Sequence, residues 1–368
     1  MLDHLTGLYN RSAFVNEVNK ALARNRSCAL IVLDLDNFKF INDGYGHSAG
    51  DALLIEVSKR LKASSRSSDF LARLGGDEFA ILLQDAAHPS DAEAVASKLI
   101  VEIAHPLVLS DGLVLYTTAS VGVAMYPRDG EDAESLMRFA EMAMYEAKES
   151  GRGIYAQFNS NMARNVNRRS LIHSRLLRAL RSNSLQLHYQ PQVNVASGWM
   201  ESVEALLRWH DEELGFVSPS EIIPVAEASG LILPLGNWVL NEACRQASEW
   251  RQQGINLRVS VNISMLQLKK HDLCDRLSEL LSEYNLPPET MELEITESQA
   301  ASNPEAMLEL ICRIRDLGVS LALDDFGTGY SSLARLQSFP AQRIKIDRLF
   351  FRGIPHNHSD CILMHGVI

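Results

Sequence analysis

Residues 69–83 read Asp-Phe-Leu-Ala-Arg-Leu-Gly-Gly-Asp-Glu-Phe-Ala-Ile-Leu-Leu, and this stretch decides the fold predicted for the first half of the chain. Two strand-like runs, 69–74 and 77–83, flank Gly75-Gly76, and a two-residue Gly-Gly loop between such runs predicts a β-hairpin. Further patterns surround the hairpin, with strands at 28–35 and 113–125 and helices at 47–63, 90–104 and 132–149. The first half, residues 1–158, is therefore predicted to be a compact α/β domain.

The whole chain has 368 residues, a net charge of −11 and five cysteines, and these values exclude several classes of protein. The length predicts two or three domains. The acidic balance argues against binding of bulk nucleic acid, but it permits a small anionic ligand held by a few Lys or Arg side chains. There is no signal peptide and no apolar stretch near the ~18–20 residues of a membrane span. Scattered cysteines are typical of a reducing cytosol, so the chain is expected to be cytoplasmic, alone or as part of a longer membrane-anchored protein.

A helical linker with six arginines and no acidic residue is predicted at 159–183. We expect it to be a solvated helix face that joins two domains; the alternative is contact with a nucleotide, a partner or a membrane surface. Beyond it, residues 184–368 alternate strand-like and helical patterns, which predicts a mainly parallel sheet. The strands are predicted at 185–190, 200–207, 257–263, 291–296, 319–324 and 342–346, and the helices at 219–229, 237–253, 269–284, 303–317 and 331–337.

Polar residues lie near the C-terminal ends of five successive strand-like runs of the second half. They are Glu204, Asn262, Glu294, Asp324 with Asp325, and Lys345 with Asp347. In a β/α barrel such residues converge on one mouth, where barrel active sites are found. Oxygen ligands in this arrangement predict a one- or two-metal site of the kind that favours phosphodiester hydrolysis, with a lysine that can orient a water. The alternative is that some of these residues only support the ligands or cap the strands.

The first half also carries candidate metal and phosphate ligands. Asp77 and Glu78 directly follow the glycines of the hairpin, and the strand-like run 28–35 reaches its end at Asp34. Carboxylates on neighbouring strand ends are suited to a hard cation such as Mg²⁺. The basic residues that could bind phosphate are Lys39, Lys148 and Arg152. The alternative is a hairpin whose acidic residues are merely solvated.

Four motifs occur in order along the first half. They are Leu5-Thr6-Gly7-Leu8-Tyr9-Asn10-Arg11, Asp34-x-Asp36-x-Phe38-Lys39-x-x-Asn42-Asp43, Gly46-His47-x-x-Gly50-Asp51 and Gly75-Gly76-Asp77-Glu78-Phe79. Over residues 3–156 they resemble the GGDEF family, the diguanylate cyclases. This resemblance implies a nucleotide-cyclase-like α/β fold that condenses two GTP into cyclic di-GMP.

The resemblance also implies a role for each motif residue. The implied Mg²⁺ ligands are Asp34, Asp77 and the carbonyl of Leu35, and Glu78 would support this catalytic site. Guanine recognition is implied for Asn42 and Asp51, and phosphate binding for Lys39, Lys148 and Arg152.

The string Arg66-Ser67-Ser68-Asp69 lies in the register of the Arg-x-x-Asp product-inhibition site of the same family, five residues before the first glycine of the hairpin. The resemblance therefore implies a cyclic di-GMP inhibitory site at Arg66 and Asp69. The alternative is a surface ion pair, which would contribute at most ~1 kcal/mol.

Six motifs of the second half resemble the EAL family of cyclic di-GMP phosphodiesterases over residues 172–368. They are Tyr189-Gln190-Pro191, Glu204-Ala205-Leu206-Leu207-Arg208-Trp209, Val261-Asn262-Ile263-Ser264, Glu294-Ile295-Thr296-Glu297, residues 324–332 (Asp-Asp-Phe-Gly-Thr-Gly-Tyr-Ser-Ser) and Lys345-Ile346-Asp347. The resemblance implies hydrolysis of cyclic di-GMP to pGpG with Mg²⁺ or Mn²⁺ as cofactor.

By motif position, the implied ligands of the first metal are Glu204, Asn262, Glu294 and Asp324, and Asp325 would contribute to the second. Lys345 would hold the catalytic water, and Gln190 and Arg208 would contact the dinucleotide. Glu297 would anchor the loop at 326–332, which in the family couples the metal site to dimerisation.

The second domain is expected to be an incomplete TIM-type β/α barrel, because the six predicted strands are fewer than the about eight of a closed barrel. The family also continues past the point where this chain stops, so its hydrolytic activity is expected to be impaired. Cyclase sites of the GGDEF family form between two subunits, so the full-length protein is expected to be a homodimer. Two hypotheses remain: a bifunctional cyclic di-GMP enzyme, or a fragment of one, and a non-catalytic cyclic di-GMP receptor.

Overall fold

A computed structural model describes residues 1–348 except 87, 110–111, 183, 271, 298, 300–303 and 328–340. The chain divides into two compact units, Met1–Asn167 and Arg168–Ile368. None of the described helices is both long and apolar enough to cross a membrane.

The first unit is built on a six-stranded sheet with helices on both faces. The strands of the whole unit, six in this sheet and two in a separate ribbon, are β1 (Tyr9–Asn10), β2 (Cys28–Leu35), β3 (Phe70–Gly75), β4 (Glu78–Gln84), β5 (Leu107–Val108), β6 (Val114–Leu115), β7 (Ala119–Tyr126) and β8 (Tyr155–Gln157). Its helices are α1 (Arg11–Ala23), α2 (Phe38–Tyr45), α3 (His47–Ser64), α4 (Pro89–Ala104) and α5 (Ala133–Glu149). The sheet order is β1-β3-β4-β2-β7-β8, and the predicted β3–β4 hairpin is confirmed.

Strand β2 lies at the centre of this sheet, antiparallel to both β4 and β7. All eight of its residues are buried, because alternate side chains enter two different cores. Ile31 packs in the core that contains residues of α3 and α4, and Leu30 packs in the core that contains residues of α1 and α5. This two-sided burial explains why the run is continuously apolar rather than alternating.

The strand predicted at 113–125 is two strands, so that prediction was wrong in its extent. Strand β6 pairs with β5 in a separate ribbon, and only β7 joins the main sheet. Between β6 and β7 the chain bonds to the end of β2 instead, where the Asp36 amide donates to the Thr118 carbonyl at 2.9 Å. The apolar pattern continued through this break because the flanking residues Leu115 and Ala119 are both buried.

The second unit contains a seven-stranded sheet. Its strands are β9 (Leu185–Val193), β10 (Met200–Asp211), β11 (Gly215–Val217), β12 (Arg258–Asn262), β13 (Met291–Thr296), β14 (Ser320–Phe326) and β15 (Arg343–Ile346). Its helices are α6 (Ser160–Ser182), which begins in the first unit, α7 (Pro219–Ser229), α8 (Ile232–Gln252), α9 (Met265–Leu268), α10 (Leu273–Glu283) and α11 (Pro304–Asp316), with a 3-10 turn at Pro288–Thr290.

Strands β10, β12, β13, β14 and β15 are parallel in that order, as the strand–helix alternation predicts. Strands β9 and β11 flank β10 in the antiparallel direction. Among the described strands the sheet remains open, with no ladder from β15 back to β9. The helix predicted at 269–284 is shorter and preceded by the separate helix α9, and the helix predicted at 331–337 lies outside the described residues.

Helix α6 is confirmed, but its environment differs from the solvated face that its arginines predicted. Ile172, Leu176 and Ala179 are buried in a core with Trp209. Two of the arginines pair with acidic residues of the second unit: Arg168 with Glu221, and Arg175 with Asp211 at 2.9 Å. The predicted solvated face therefore describes one side of the helix, where Arg164, Arg178 and Arg181 are exposed, and the other side is packed because it carries apolar residues at helical spacing.

Candidate metal and nucleotide sites

Four parallel strands of the second unit bring one lysine and three carboxylates together. The Nζ atom of Lys345 on β15 donates to Glu204 Oε2 at 3.0 Å, to Glu294 Oε2 at 2.6 Å and to Asp324 Oδ2 at 2.9 Å. Oxygen atoms of the three carboxylates lie within 4.8 Å of one another. They converge because β10, β13 and β14 run in the same direction and the register is offset by two residues from Glu204 to Glu294 and again from Glu294 to Asp324, which keeps all three side chains on one face of the sheet.

Two further observations fit this cluster to a divalent cation. Asn262 Nδ2 donates to Glu204 Oε1 at 2.9 Å, which leaves the amide oxygen of Asn262 available as a neutral ligand. Glu294 Oε1 is buried and has no hydrogen-bond partner among the described residues. A buried carboxylate oxygen without a donor is costly unless a cation meets it. Oxygen donors of this kind are the ligands that Mg²⁺ and Mn²⁺ prefer.

The charges of the cluster are strongly perturbed. Burial raises the pKa of Glu294 to about 7, against the opposing effect of Lys345. Burial alone would lower the pKa of Lys345, but its bonds to Glu294, Asp324 and Glu204 raise it well above its usual range. Lys345 is therefore a permanent cation, whereas Glu294 exchanges its proton near neutral pH.

Asp325 and Glu297 lie beside this cluster. Asp325 has a left-handed backbone, with φ of 53°, and its amide donates to Asp324 Oδ1 at 2.8 Å. Burial and the nearby carboxylates of Asp324 and Asp347 raise the pKa of Asp325. Glu297 is buried, and its Oε2 accepts the amide of Gly327 at 2.7 Å, so it fixes the start of the segment after β14. The rest of the loop at 326–332 lies outside the described residues from position 328 onward.

Gln190 and Arg208 lie on the strands at the edge of the cluster. Gln190 on β9 is directly opposite Glu204 on β10 and is exposed. Arg208 lies four residues after Glu204 on the same strand, hence on the same face of the sheet, and its Nη1 donates to the carbonyl of Leu207 at 2.8 Å. Both residues therefore lie on the same face as Glu204 or directly opposite it, and among the described residues no hydrogen bond joins either side chain to the carboxylates.

A cavity of about 300 Å³ opens next to Asn262, between β10 and the helices α7 and α8. Its wall includes apolar Leu206 and Ile232 and polar Ser264 and Gln267. No motif of the sequence predicts this cavity. The one local feature of the sequence that lies in its wall is the pair Ser264 and Gln267, which forms a capping box at the start of α9.

In the first unit, the ends of β2 and β4 bring three acidic residues together. Asp34 is paired in register with Glu78 across the β2–β4 ladder, and the amide of Leu35 donates to the carbonyl of Asp77. Lys148, at the end of α5, bonds Asp34 Oδ1 at 2.7 Å. Burial raises the pKa of Asp34 although Lys148 opposes it, and burial followed by the charge of Asp34 raises the pKa of Glu78. Such carboxylates, crowded and partly desolvated, are suited to binding a divalent cation.

The predicted guanine and phosphate ligands surround this end of the sheet on three separate segments. Asn42 on α2 packs against Gly50 of α3, where an added Cβ atom would come within 2.0 Å of Asn42 Oδ1. Glycine at this position therefore lets Asn42 and the exposed Asp51 lie next to each other. Lys39 is exposed on α2, and Arg152 is exposed on the loop after α5.

Arg66 and Asp69 form a turn between α3 and β3. The amide of Arg66 donates to Asp69 Oδ2 at 2.7 Å, and the amide of Asp69 donates to the carbonyl of Arg66 at 3.0 Å. Arg66 is exposed, and the turn lies on the surface before the hairpin strand. The guanidinium of Arg66 is therefore accessible to a ligand in solution.

Two family models match the chain in tandem. Residues 1–153 match the model described as diguanylate cyclase, GGDEF domain, and residues 173–368 match the EAL domain. The chain is a GGDEF–EAL protein. The two families and their order along the chain confirm the resemblance carried by the motifs of the sequence.

Two curated relatives share this tandem over the whole of the chain. The bifunctional diguanylate cyclase/cyclic di-GMP phosphodiesterase MucR of Pseudomonas aeruginosa is 41% identical over 371 residues, which cover 100% of this chain and 54% of MucR. The cyclic di-GMP phosphodiesterase PdeR of Escherichia coli is 42% identical over 369 residues, which cover 100% of this chain and 55% of PdeR. The chain thus spans about half the length of these relatives.

Two solved structures are similar to this chain. The PaMucR phosphodiesterase in complex with c-di-GMP has a TM-score of 0.51 at 40% identity, covering 53% of this chain and 80% of that chain. The S helix-GGDEF-EAL part of LapD from Vibrio cholerae, bound to c-di-GMP, has a TM-score of 0.63 at 16% identity, covering 100% of this chain and 86% of that chain. The second similarity shows a shared fold, which confirms a nucleotide-cyclase-like α/β domain followed by a TIM-type EAL domain.

If Glu294 is a metal ligand, the metal affinity of the EAL domain is expected to rise with pH up to about 7 and then to level off, because a carboxylate ligand must be ionised. In the metal-free protein, stabilisation linked to this raised pKa is complete below the ordinary value of 4.5 and is lost as pH rises to about 7. Calorimetric titration with Mn²⁺ at pH 6 should show release of a proton from Glu294, and at pH 8.5 it should not. The same affinity from pH 5.5 to 8.5 would contradict this assignment.

Proposed function

We propose that the chain turns over cyclic di-GMP in both directions. The GGDEF domain condenses two GTP into cyclic di-GMP, and the EAL domain hydrolyses cyclic di-GMP to pGpG. The observation that carries the proposal is the cluster of three carboxylates around Lys345, at distances of 2.6–3.0 Å, on the edge of the EAL sheet. A protein that only binds cyclic di-GMP would need a pocket of the right shape. It would not need a buried carboxylate oxygen that lacks a hydrogen-bond donor, as Glu294 Oε1 does.

In the EAL domain, Glu204, Asn262, Glu294 and Asp324 would hold the first Mg²⁺ or Mn²⁺, and Asp325 would hold a second. The metal would supply stabilisation of the attacking and leaving oxygens of the phosphodiester. The chain's own groups do the rest: the Lys345 ammonium donates a hydrogen bond that orients the attacking water, and Gln190 and Arg208 bind the dinucleotide. The cavity beside Asn262 is large enough to take an apolar or aromatic part of the substrate.

In the GGDEF domain, the Mg²⁺ ligands would be Asp34, Asp77 and the Leu35 carbonyl. Glu78 faces Asp34 across the ladder and supports the site from there. Lys39, Lys148 and Arg152 would bind the triphosphate, and Asn42 with Asp51 would bind the guanine edge. Each site holds one GTP, so condensation requires two copies of the domain face to face, which makes a homodimer the expected active form.

The experiment that tests the proposal separates the two reactions. The chain is incubated with GTP and Mg²⁺, and separately with cyclic di-GMP and Mg²⁺ or Mn²⁺, and the products are separated by chromatography. Cyclic di-GMP from the first mixture and pGpG from the second are expected. Tight binding of cyclic di-GMP without any product from either mixture would overturn the proposal in favour of a receptor.

Arg66→Ala is expected to weaken inhibition of the cyclase by cyclic di-GMP roughly tenfold or more, because a charge-assisted bond to phosphate is lost. The inhibition constant for GTP condensation is the measurement. Arg24→Ala, which removes another exposed arginine of the same domain, serves as the matched control. Unchanged inhibition in Arg66→Ala would overturn the inhibitory site, and the exposed turn formed by Arg66 and Asp69 would then be only a structural feature of the surface.

A further inference from the structure

Asp36 lies just beyond the end of β2, is only 4% exposed and has both carboxylate oxygens occupied. Its Oδ2 accepts the hydroxyl of Thr118 at 2.6 Å and the amide of Gly153 at 3.1 Å. Its Oδ1 accepts the hydroxyl of Ser120 at 2.7 Å. The carboxylate thus joins the end of β2 to β7 and to the loop after α5.

The loop that Asp36 holds has an uncommon backbone. Gly151, Arg152 and Gly153 have φ values of 128°, 59° and 61°, and Arg152 is therefore a non-glycine residue in the left-handed region. That conformation costs about 1 kcal/mol or more for a residue with a Cβ atom, so contacts on either side must maintain it. On one side, the amide of Arg152 itself donates to the carbonyl of Ala147 at 3.1 Å. On the other side, the amide of the next residue, Gly153, donates to Asp36.

We propose that Asp36 is a positioning residue for GTP, which holds the exposed guanidinium of Arg152 in the conformation that meets the triphosphate. This inference rests on the proposed cyclase function and deepens it. Asp36 touches neither substrate nor metal in this assignment; it acts through the backbone of the loop. The same carboxylate ties the loop to the strand that carries Asp34, so metal ligand and phosphate ligand share one anchor.

The Asp36 side chain acts here as an acceptor. All three of its partners donate to it, and one of them is a backbone amide that cannot reverse its direction. The hydroxyls of Thr118 and Ser120 can accept as well as donate, so an asparagine could turn its NH₂ group to Ser120 and keep its oxygen on the Gly153 amide. Asp36→Ala removes every acceptor and therefore the anchor.

The test uses the full chain and a double-mutant cycle. Binding of 3′-deoxy-GTP with Mg²⁺, a nucleotide that cannot condense, is measured for the unmodified chain, Asp36→Ala, Arg152→Ala and the double variant. Asp36→Ala and Arg152→Ala are each expected to weaken binding about tenfold, and the double variant no more than Arg152→Ala alone. Additive losses in the double variant would overturn the proposal.

A second measurement needs no nucleotide. Hydrogen exchange of the Gly153 amide is expected to be faster in Asp36→Ala than in the unmodified chain, and exchange at the wild-type rate would overturn the proposal. Asp129→Ala is the control, because Asp129 also accepts a backbone amide, from Met125 at 2.7 Å, but at the other end of β7. It should alter neither Gly153 exchange nor nucleotide affinity.

The two measurements separate this inference from the function on which it rests. Failure of the unmodified chain to bind the nucleotide would contradict the cyclase function, while Gly153 exchange would still decide whether Asp36 holds the loop. Wild-type affinity in Arg152→Ala would remove Arg152 from the phosphate site and overturn the positioning role with it.

Discussion

Lys345→Met is expected to reduce hydrolysis of cyclic di-GMP about 10³-fold, within the range found when a positioned catalytic donor is removed. Methionine keeps the length and apolar stem of lysine but has no ammonium to orient the attacking water. The pKa of Lys345 lies above its usual range, so the lost group is a full cation at every pH of assay. The initial rate of pGpG formation at saturating Mn²⁺ is the measurement, with the exposed Lys270→Met as the matched control.

The same substitution is expected to destabilise the metal-free EAL domain. It leaves three carboxylates within 4.8 Å of one another without their shared cation. The side chains of Lys345 and Glu294 are 22% and 0% exposed, so the interaction is mainly buried, and breaking such a pair costs about 3–5 kcal/mol. The loss of stability in Lys345→Met should become smaller as pH falls below about 7, because Glu294 then takes up a proton and no longer adds a negative charge to the cluster.

Added metal distinguishes the loss of charge balance from general misfolding. Mn²⁺ replaces the missing positive charge, so it should raise the unfolding midpoint of Lys345→Met more than that of the unmodified chain. A ligand at a hundred times its dissociation constant contributes about 2.7 kcal/mol, enough to recover much of the defect. Hydrolysis should stay low even when stability is recovered. Turnover near the unmodified rate would remove Lys345 from the mechanism.

The carboxylate cluster of the EAL domain could be predicted in large part from the sequence, because parallel strands that alternate with helices place their C-terminal ends at one edge of the sheet. Glu294 and Lys345 lie near the ends of β13 and β15, but Glu204 is the fifth residue of the twelve-residue β10, which continues beyond its parallel pairing with β12. The antiparallel direction of β9 could also be predicted from the length of its connection to β10. Only six residues, 194–199, join it to β10, and a parallel crossover needs about a dozen.

Other features depended on contacts that no local pattern records. The cavity beside Asn262 is formed by residues from several elements far apart in sequence. The break between β6 and β7 depends on Asp36, a side chain that lies about 80 positions earlier in the chain. The arginines of α6 indicate a solvated helix, whereas its apolar residues Ile172, Leu176 and Ala179 recur at helical spacing and form a packed face.

Asp34→Asn is expected to reduce the rate of GTP condensation about 10³-fold without lowering the stability of the domain. The amide cannot replace the anionic oxygen that a Mg²⁺ ligand requires, so catalysis falls. Stability should be equal or higher at neutral pH, because burial raises the pKa of Asp34 in spite of its bond to Lys148. A raised carboxyl pKa means that stability is lost as pH rises through it, and asparagine avoids that loss.

Three measurements on Asp34→Asn separate catalysis from folding: cyclic di-GMP formation, the unfolding midpoint at pH 7, and hydrolysis of cyclic di-GMP. The last should be unchanged, because Asp34 and the Lys345 cluster belong to different compact units. Asp85→Asn is the matched control, since Asp85 is exposed and its left-handed backbone, with φ of 57°, accepts asparagine. A variant that lost stability and activity together would show that Asp34 holds the sheet rather than the metal. Lost activity with equal or higher stability is what a metal ligand predicts, because such a residue is retained for catalysis although its ionisation costs stability.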